Sequence, residues 1–319
     1  MSTSEPSTSP FSTFTLCDKL RSSAGTLPAP VRQLIGMRIK QLTGSTSQPQ
    51  AFAQPAGAAA LLSPESVAWR VHANFVGMLV GGLSSLMLQA LHPRALAAVW
   101  DHSDFRGKLK QRLGRTAYFI AITTYGPQQE ALAAIERVNR IHANIRGHLP
   151  DGSAYAANEP DLLRWVHLGE ISSFLNGYQW LSYQPLRPVE SDAYIGEMAT
   201  LGARLGANHL PLNQAECEAA LLAYRPQLEC NHRTLEILQV IENYPVDPWD
   251  KPFMSLVMQA AFHTLPPWAL HMLGKPEAST AQKQLVRQAL RLISLPVQAV
   301  LDQDGVASHA RKRVSTAAV

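Results

Sequence analysis

The chain has 319 residues, a hydrophobic share of 46% and a net charge of +4. This is enough apolar material for one substantial core, and the mild, scattered positive charge gives little support for nucleic-acid binding. We expect the basic cluster Arg311-Lys312-Arg313 to be a solvated end. Three cysteines without paired spacing argue against a disulfide framework and against a zinc ribbon.

The first 62 residues predict little packed structure. Residues 1–25 are rich in Ser, Thr and Pro and are expected to form a flexible tail. They lack the apolar core of a secretory signal, so we expect a cytoplasmic protein without stable membrane insertion. Residues 26–62 are predicted to form a helical arm and a linker, with one amphipathic helix from Pro28 to Leu42.

A long helix is predicted from an N-cap at Ser63 to Leu91, just before a His-Pro pair. Its length approaches that of a membrane span, but polar residues interrupt it and histidines stand at both ends. We therefore interpret it as the central buried helix of a bundle. Gly77, Gly81 and Ser85 repeat every four positions, which favours close helix packing or, as a second interpretation, a flat ligand.

Helical periodicity continues through the rest of the chain. The sequence predicts helices over residues 108–125, 127–147, 161–181, 190–205, 214–224, 234–243, 254–263, 270–273 and 280–301, the last one kinked near Pro296. We find neither strand-like alternation nor a glycine-rich phosphate motif. The predicted fold class is all-α, a single helical bundle over residues 63–304 followed by a basic tail over residues 305–319.

One histidine interrupts a hydrophobic stripe. In the helix that ends near Gly147, His142 occupies the apolar line that includes Ile135 and Val138. Such a side chain is either a core histidine with a hydrogen-bond partner or a ligand of a metal or haem. His167, in the next helix, also faces the core, and Glu170 is expected to satisfy it.

Five short motifs occur in an order that is typical of one family. They are Leu88-Gln-Ala-Leu-His-Pro93, Arg112-Leu-Gly-Arg-Thr116, Thr123-Thr-Tyr-Gly126, Arg137-Val-Asn-Arg-Ile-His142 and Arg164-Trp-Val-His167. Over roughly Ser66 to Pro296 the chain resembles the family that groups bacterial latex-clearing proteins, the rubber oxygenases, with the oxygenase of mycophenolic acid biosynthesis.

The resemblance implies a globin-like helical core that holds one haem b and uses dioxygen. By the match of motifs, His142 is the iron ligand, and Arg112 and Thr116 are the pair on the distal side. Arg115 stands where some rubber oxygenases have a lysine that can bind iron. Arg112 or Arg115 could hydrogen-bond dioxygen or pair with a haem propionate, and Arg146 could do the latter.

The sequence therefore predicts a haem b-dependent oxygenase acting on an unsaturated hydrophobic small molecule of the lipid or terpenoid type. Two alternatives stay open at this point. One is a haem-binding sensor or ligand-binding protein without turnover. The other is a di-iron carboxylate bundle, suggested only by the spacing of Glu229 and His232. Neither the substrate nor the oligomeric state follows from the residues.

Overall fold

The computed structural model describes residues 27–44 and 48–316, so the predicted tail over residues 1–25 lies outside the described residues. Within them the chain is predominantly helical, which confirms the all-α fold class. The helices are α1 (Ala29–Thr43), α2 (Val67–His72), α3 (Phe75–Gln89), α4 (Pro93–His102), α5 (Phe105–Tyr125), α6 (Gln128–Ala143), α7 (Pro160–Leu181), α8 (Pro188–Arg204), α9 (Gln214–Ala223), α10 (His232–Glu242), α11 (Lys251–Thr264), α12 (Pro267–Met272), α13 (Thr280–Asp304) and α14 (Val306–Ser315). Short 3₁₀ turns occupy Pro49–Ala53, Arg225–Gln227 and Pro248–Asp250.

The long apolar helix predicted from Ser63 is two helices. Ser66, not Ser63, caps α2, and its hydroxyl accepts a hydrogen bond from the Trp69 amide. Asn74 then has an extended backbone, and its side-chain oxygen accepts from the Gly77 amide at 2.9 Å. Because an Asn side chain satisfies a free amide of the first helical turn, this cap starts a new helix inside the apolar run.

The small residues of α3 serve helix packing, as the first interpretation proposed. A Cβ atom at Gly177 of α7 would lie 2.4 Å from the Gly77 carbonyl oxygen, and one at Gly81 would lie 2.6 Å from the Ser173 carbonyl oxygen. The two backbones therefore touch, and only glycine fits at these positions. This contact fixes α3 and α7 as the central pair of the bundle.

The helix that carries His142 ends earlier than predicted. α6 stops at Ala143, and Gly147 lies in the first of two short antiparallel strands, β1 (Arg146–His148) and β2 (Ala154–Ala156), which the sequence did not predict. A Cβ atom at Gly147 would lie 2.6 Å from the Tyr155 hydroxyl oxygen. Three-residue strands are too short to show alternation, so the pattern gave no signal.

The basic C-terminal cluster is not wholly solvated, so that expectation was wrong for Arg313. This side chain lies fully buried in α14, and its guanidinium donates to the carbonyl oxygens of Phe52, Ala58 and Tyr125 at 2.7 to 3.0 Å. Phe52 is buried too, so part of the segment predicted as a linker packs against α14. A charged side chain is tolerated in a protein interior when its donors are satisfied in this way.

Among the described residues, no single helix is long and apolar enough to cross a membrane. Helices α3 and α4 reach that length and composition together, with a bend of 103° between them.

Candidate functional site

A large cavity lies against α3, α5, α6 and α7, and α1 also contributes to its wall. Its volume is about 2270 Å³, well above the ~300–1,000 Å³ of a pocket for one drug-sized ligand. Most side chains that line it from these helices are apolar, among them Met37, Phe75, Met78, Leu79, Leu83, Leu86, Leu113, Phe119, Ile120, Val138 and Ile141. The cavity has room for a cofactor and an apolar substrate together.

His142 lies on the wall of this cavity, near the C-terminal end of α6. The ring is part-buried, and its Nδ1 atom lies buried without a hydrogen-bond partner among the described residues. Burial lowers the pKa of His142 below its ordinary value, so the ring is neutral at pH 7. A neutral imidazole with an unused nitrogen beside a cavity is the form in which histidine binds a metal.

Arg112, Arg115 and Thr116 line the same cavity from α5, which packs against α6. Arg112 is part-buried and donates to the Ser103 hydroxyl oxygen at 2.7 Å. Burial first, and then the charge of Arg115, lower the pKa of Arg112 below its usual range. The two neighbouring cations give this part of the cavity a positive potential, which suits the carboxylate groups of a bound molecule.

The Thr116 hydroxyl points back along its own helix. It donates to the Arg112 carbonyl oxygen at 3.3 Å, a long bond of the kind that Ser and Thr side chains often make to the preceding turn. The hydroxyl hydrogen can rotate away from this bond, since threonine hydroxyls have no fixed donor direction. Thr116 is exposed and also lines the cavity.

Arg146 is the one predicted site residue that the structure does not bring to the cavity. It is exposed in β1, and its guanidinium donates to the Ala143 carbonyl oxygen at 3.0 Å. The end of α6 at Ala143 turns the chain into the hairpin and carries Arg146 away from His142. Arg137 of α6, which was not predicted as a site residue, does line the cavity.

The cavity wall also holds a buried polar group that sequence analysis missed. His72, at the end of α2, has Nδ1 2.8 Å from Thr124 Oγ1 and Nε2 3.2 Å from the Tyr194 hydroxyl oxygen. Burial lowers the pKa of His72 to about 3, so the ring is neutral and both nitrogens are satisfied. Its position at the end of an apolar run was the only signal in the sequence.

The predicted pairing of His167 with Glu170 was wrong. The Met198 carbonyl accepts a hydrogen bond from the His167 ring, and Nε2 is left buried without a partner in the described part of the chain. Burial lowers the pKa of His167 to about 4 and raises the pKa of Glu170 to about 7. Both side chains line the cavity from α7.

The di-iron alternative finds no set of ligands in residues 27–44 and 48–316. There, no three His, Cys, Asp or Glu side chains are grouped so that they could hold a metal ion. Glu229 accepts a hydrogen bond from the Asn231 amide at 2.6 Å, and the His232 ring packs edge-on against Trp100. The spacing that suggested this alternative therefore belongs to a helix start.

Comparison with protein families gives one match. The model described as "ER-bound oxygenase mpaB/B'/Rubber oxygenase, catalytic domain" matches residues 69–295. Comparisons with curated proteins and with solved structures gave no match. The family match covers α3 to α7 whole, and thus His142, Arg112, Arg115 and Thr116, and it confirms the resemblance drawn from the five motifs.

Proposed function

Because the chain belongs to the family of ER-bound oxygenase mpaB/B' and rubber oxygenase catalytic domains, we propose that it is a haem b-dependent oxygenase. Membership makes the protein an oxygenase that uses dioxygen and acts on a small molecule. The haem and the class of substrate, an unsaturated hydrophobic molecule of the lipid or terpenoid type, are our proposal.

The observation that carries the haem proposal is the state of His142. Its ring is neutral, it lines a large cavity, and its Nδ1 is unpartnered among the described residues. A buried polar nitrogen without a partner destabilises the protein, so such atoms are rare in folded chains. A bound metal would use Nε2, the ring nitrogen that is not buried, and the ring hydrogen would then sit on Nδ1.

The other residues suit the remaining parts of a haem. Arg112 and Arg115 would pair with its carboxylates, and the positive potential between them would hold these groups in place. When bound, haem supplies the iron centre at which dioxygen is activated. Thr116 would offer a hydroxyl to a wall that is otherwise apolar, after turning away from its carbonyl partner.

The apolar lining supports the class of substrate. Side chains such as Phe75, Met78, Leu83 and Phe119 give the space an apolar wall. A molecule that buries its hydrocarbon part there gains about 25 cal/mol for each Å² removed from water. A carbon-carbon double bond within that part would be held beside the haem pocket.

The first experiment is an optical spectrum of the purified protein, with iron measured per chain. We expect a Soret band and about one iron per chain, released without covalent attachment because no Cys-x-x-Cys-His site occurs. His142→Ala should lose most of the haem, whereas His167→Ala should keep it. A Soret band that survives in His142→Ala and disappears in His167→Ala would overturn the assignment of the ligand.

Uptake of dioxygen with an unsaturated lipid or terpenoid then separates an enzyme from a haem-binding sensor. Turnover would support the oxygenase, and a haem protein without uptake over a broad panel would support the sensor. Cytoplasmic localisation stays a prediction. Recovery of the native chain only from detergent-extracted membranes would contradict it.

A further inference from the structure

We propose that Glu170 is the polar anchor of the substrate, and that the cavity therefore takes an unsaturated apolar molecule that carries a hydroxyl group. The inference that this substrate is unsaturated rests on the function proposed above. The inference that it carries a hydroxyl group rests on a separate observation: one carboxyl on the cavity wall has no hydrogen-bond partner among the described residues.

Glu170 is unlike the other acidic side chains in the packed part of the molecule. Glu197 accepts from the amides of Val67 and Ala68 at 3.0 and 2.8 Å, and Asp161 accepts from the Tyr224 hydroxyl at 2.6 Å. Glu170 has no hydrogen bond and no ion pair with any described residue. Glu170 is part-buried and lines the cavity.

No described residue donates a hydrogen bond to this carboxyl. The Tyr194 hydroxyl lies 3.2 Å from His72 Nε2, and the Gln89 amide donates to the Ser85 hydroxyl oxygen at 2.7 Å. On α7 itself, the His167 ring donates to the Met198 carbonyl. A donor for Glu170 must therefore come from water or from a molecule in the cavity, since a buried carboxyl without one is costly.

The protonation of Glu170 favours a hydroxyl over a charged group. Burial alone raises the pKa to about 7, and no cation on a neighbouring element lowers it. A hydroxyl can donate to the carboxylate and accept from the carboxylic acid, so it matches both forms. A carboxylate ligand would be repelled above pH 7, and an ammonium would meet the positive potential of Arg112, Arg115 and Arg137 in the same cavity.

There is free space between Gly82 and Phe174, one helical turn from Glu170. A Cβ atom at Gly82 of α3 would meet only the Phe174 ring, at 3.9 Å, and both residues line the cavity. Phe174 lies one turn beyond Glu170 on α7, so the carboxyl and the aromatic ring share one line of the helix. A chain that donates to Glu170 can thus lay its hydrocarbon part along Phe174.

The test uses four ligands with one decenyl chain: 9-decen-1-ol, 1-decene, 9-decen-1-amine and 9-decenoate. Their binding to the full-length protein, with whatever haem it carries, is measured by equilibrium titration of tryptophan fluorescence. We expect the wild type to bind the alcohol at least about tenfold more tightly than the hydrocarbon. This is the gain in affinity expected from one hydrogen bond to an ionised or partly ionised carboxyl. Hydrocarbon binding should weaken as the pH rises through about 7, because ionisation of Glu170 beside an apolar ligand is unfavourable.

Two substitutions of Glu170 test whether it binds the alcohol by a hydrogen bond or only fills space in the cavity wall. Glu170→Gln keeps an acceptor and should bind the alcohol within a few-fold of the wild type, whereas hydrocarbon binding should no longer depend on pH. Glu170→Leu should lose about tenfold for the alcohol and gain for the hydrocarbon. Glu130→Gln changes an exposed carboxyl that lines the same cavity and should match the wild type.

The proposal is overturned if Glu170→Leu binds the alcohol as the wild type does. It is also overturned if the amine binds most tightly and loses its affinity in both variants, because the anchor would then be a cation site. Dioxygen uptake is recorded separately with the alcohol and the hydrocarbon. A preference for the alcohol without uptake would contradict the oxygenase function alone, and uptake without any preference would contradict the anchor alone.

Discussion

Along the contact between α3 and α7, backbone meets backbone, and glycines leave no gap between the helices. Along α5 and α6, part-buried and exposed polar side chains face an open cavity, and the His142 Nδ1 is left without a partner among the described residues. The first region gains stability from packing, and the second places polar side chains beside a space that a bound molecule can occupy. Helices α3 and α7 thus pack tightly at their glycines and also line the cavity, together with α5 and α6.

The largest effect is expected where the two backbones touch. Gly177→Val places a Cβ atom 2.4 Å from the Gly77 carbonyl oxygen, so the helices must separate. We expect the free energy of unfolding to fall by about 3 kcal/mol or more, measured by urea denaturation. Gly82→Ala on α3 is the control, since its Cβ meets only Phe174, and it should be neutral or stabilising by up to about 1 kcal/mol. Equal losses in both variants would contradict this account of the contact.

A second test asks whether a buried guanidinium whose donors are all hydrogen-bonded stabilises the fold. Arg313→Met leaves the carbonyl oxygens of Phe52, Ala58 and Tyr125 without their donors. We expect a loss of about 2 to 4 kcal/mol in the free energy of unfolding. Lys312→Met, at an exposed neighbour on the same helix, should change it by less than about 0.5 kcal/mol. Similar small changes in both variants would show that the buried guanidinium does not stabilise the fold.

The buried histidines predict how stability depends on pH. Burial holds the pKa of His72 at about 3 in the folded chain, below the ordinary value of 6.5. The unfolded chain therefore takes up this proton first, and stability is lost as the pH falls from about 6.5 toward 3. The free energy of unfolding should be about 2 kcal/mol lower near pH 5 than above about pH 6.5 because of this ring. Urea denaturation at the two pH values measures the difference. His72→Gln should reduce the difference, and an unchanged pH dependence in that variant would contradict the assignment.

On the cavity wall, removal of a polar ring should hardly affect stability. His142→Ala removes a part-buried side chain with an unsatisfied nitrogen, so the apoprotein should lose less than about 1 kcal/mol. Ile135→Ala, on the same helix but buried, should lose about 2 to 5 kcal/mol. Circular dichroism during urea denaturation of the haem-free proteins gives both values. A loss for His142→Ala as large as that for Ile135→Ala would make this histidine a core residue.

The smallest effect on stability is expected at Arg115, which is exposed. A guanidinium stays protonated and has no lone pair for iron, whereas a lysine can lose its proton and bind. Arg115→Lys should therefore permit a six-coordinate low-spin spectrum at alkaline pH, and Arg115→Ala should not. A wild-type spectrum with two nitrogenous protein ligands, unchanged in Arg115→Ala, would show that another histidine of the cavity wall, such as His167, is the second ligand.

Helical periodicity was a sufficient guide to most of the fold. The end of α5 before Gly126-Pro127 and the start of α7 at Pro160 follow from local rules for proline and glycine, and the structure has both. The division of the apolar run at Asn74 was not predicted, because its cap competes with a continuous helix that is nearly as favourable. The hairpin of β1 and β2 was missed because strands of three residues are too short to show alternation.

The sequence by itself determined the helical class and the family, because these depend on spacing along one helix or on motifs in order. Only the tertiary structure decided which of those residues share a cavity. It placed Arg146 outside the cavity, buried Arg313, and left Glu170 without the histidine that the helix spacing offered it. The physical reason is that a side chain's hydrogen-bond partners and its exposure are set by other helices, and no pattern within one helix records which helix will pack against it.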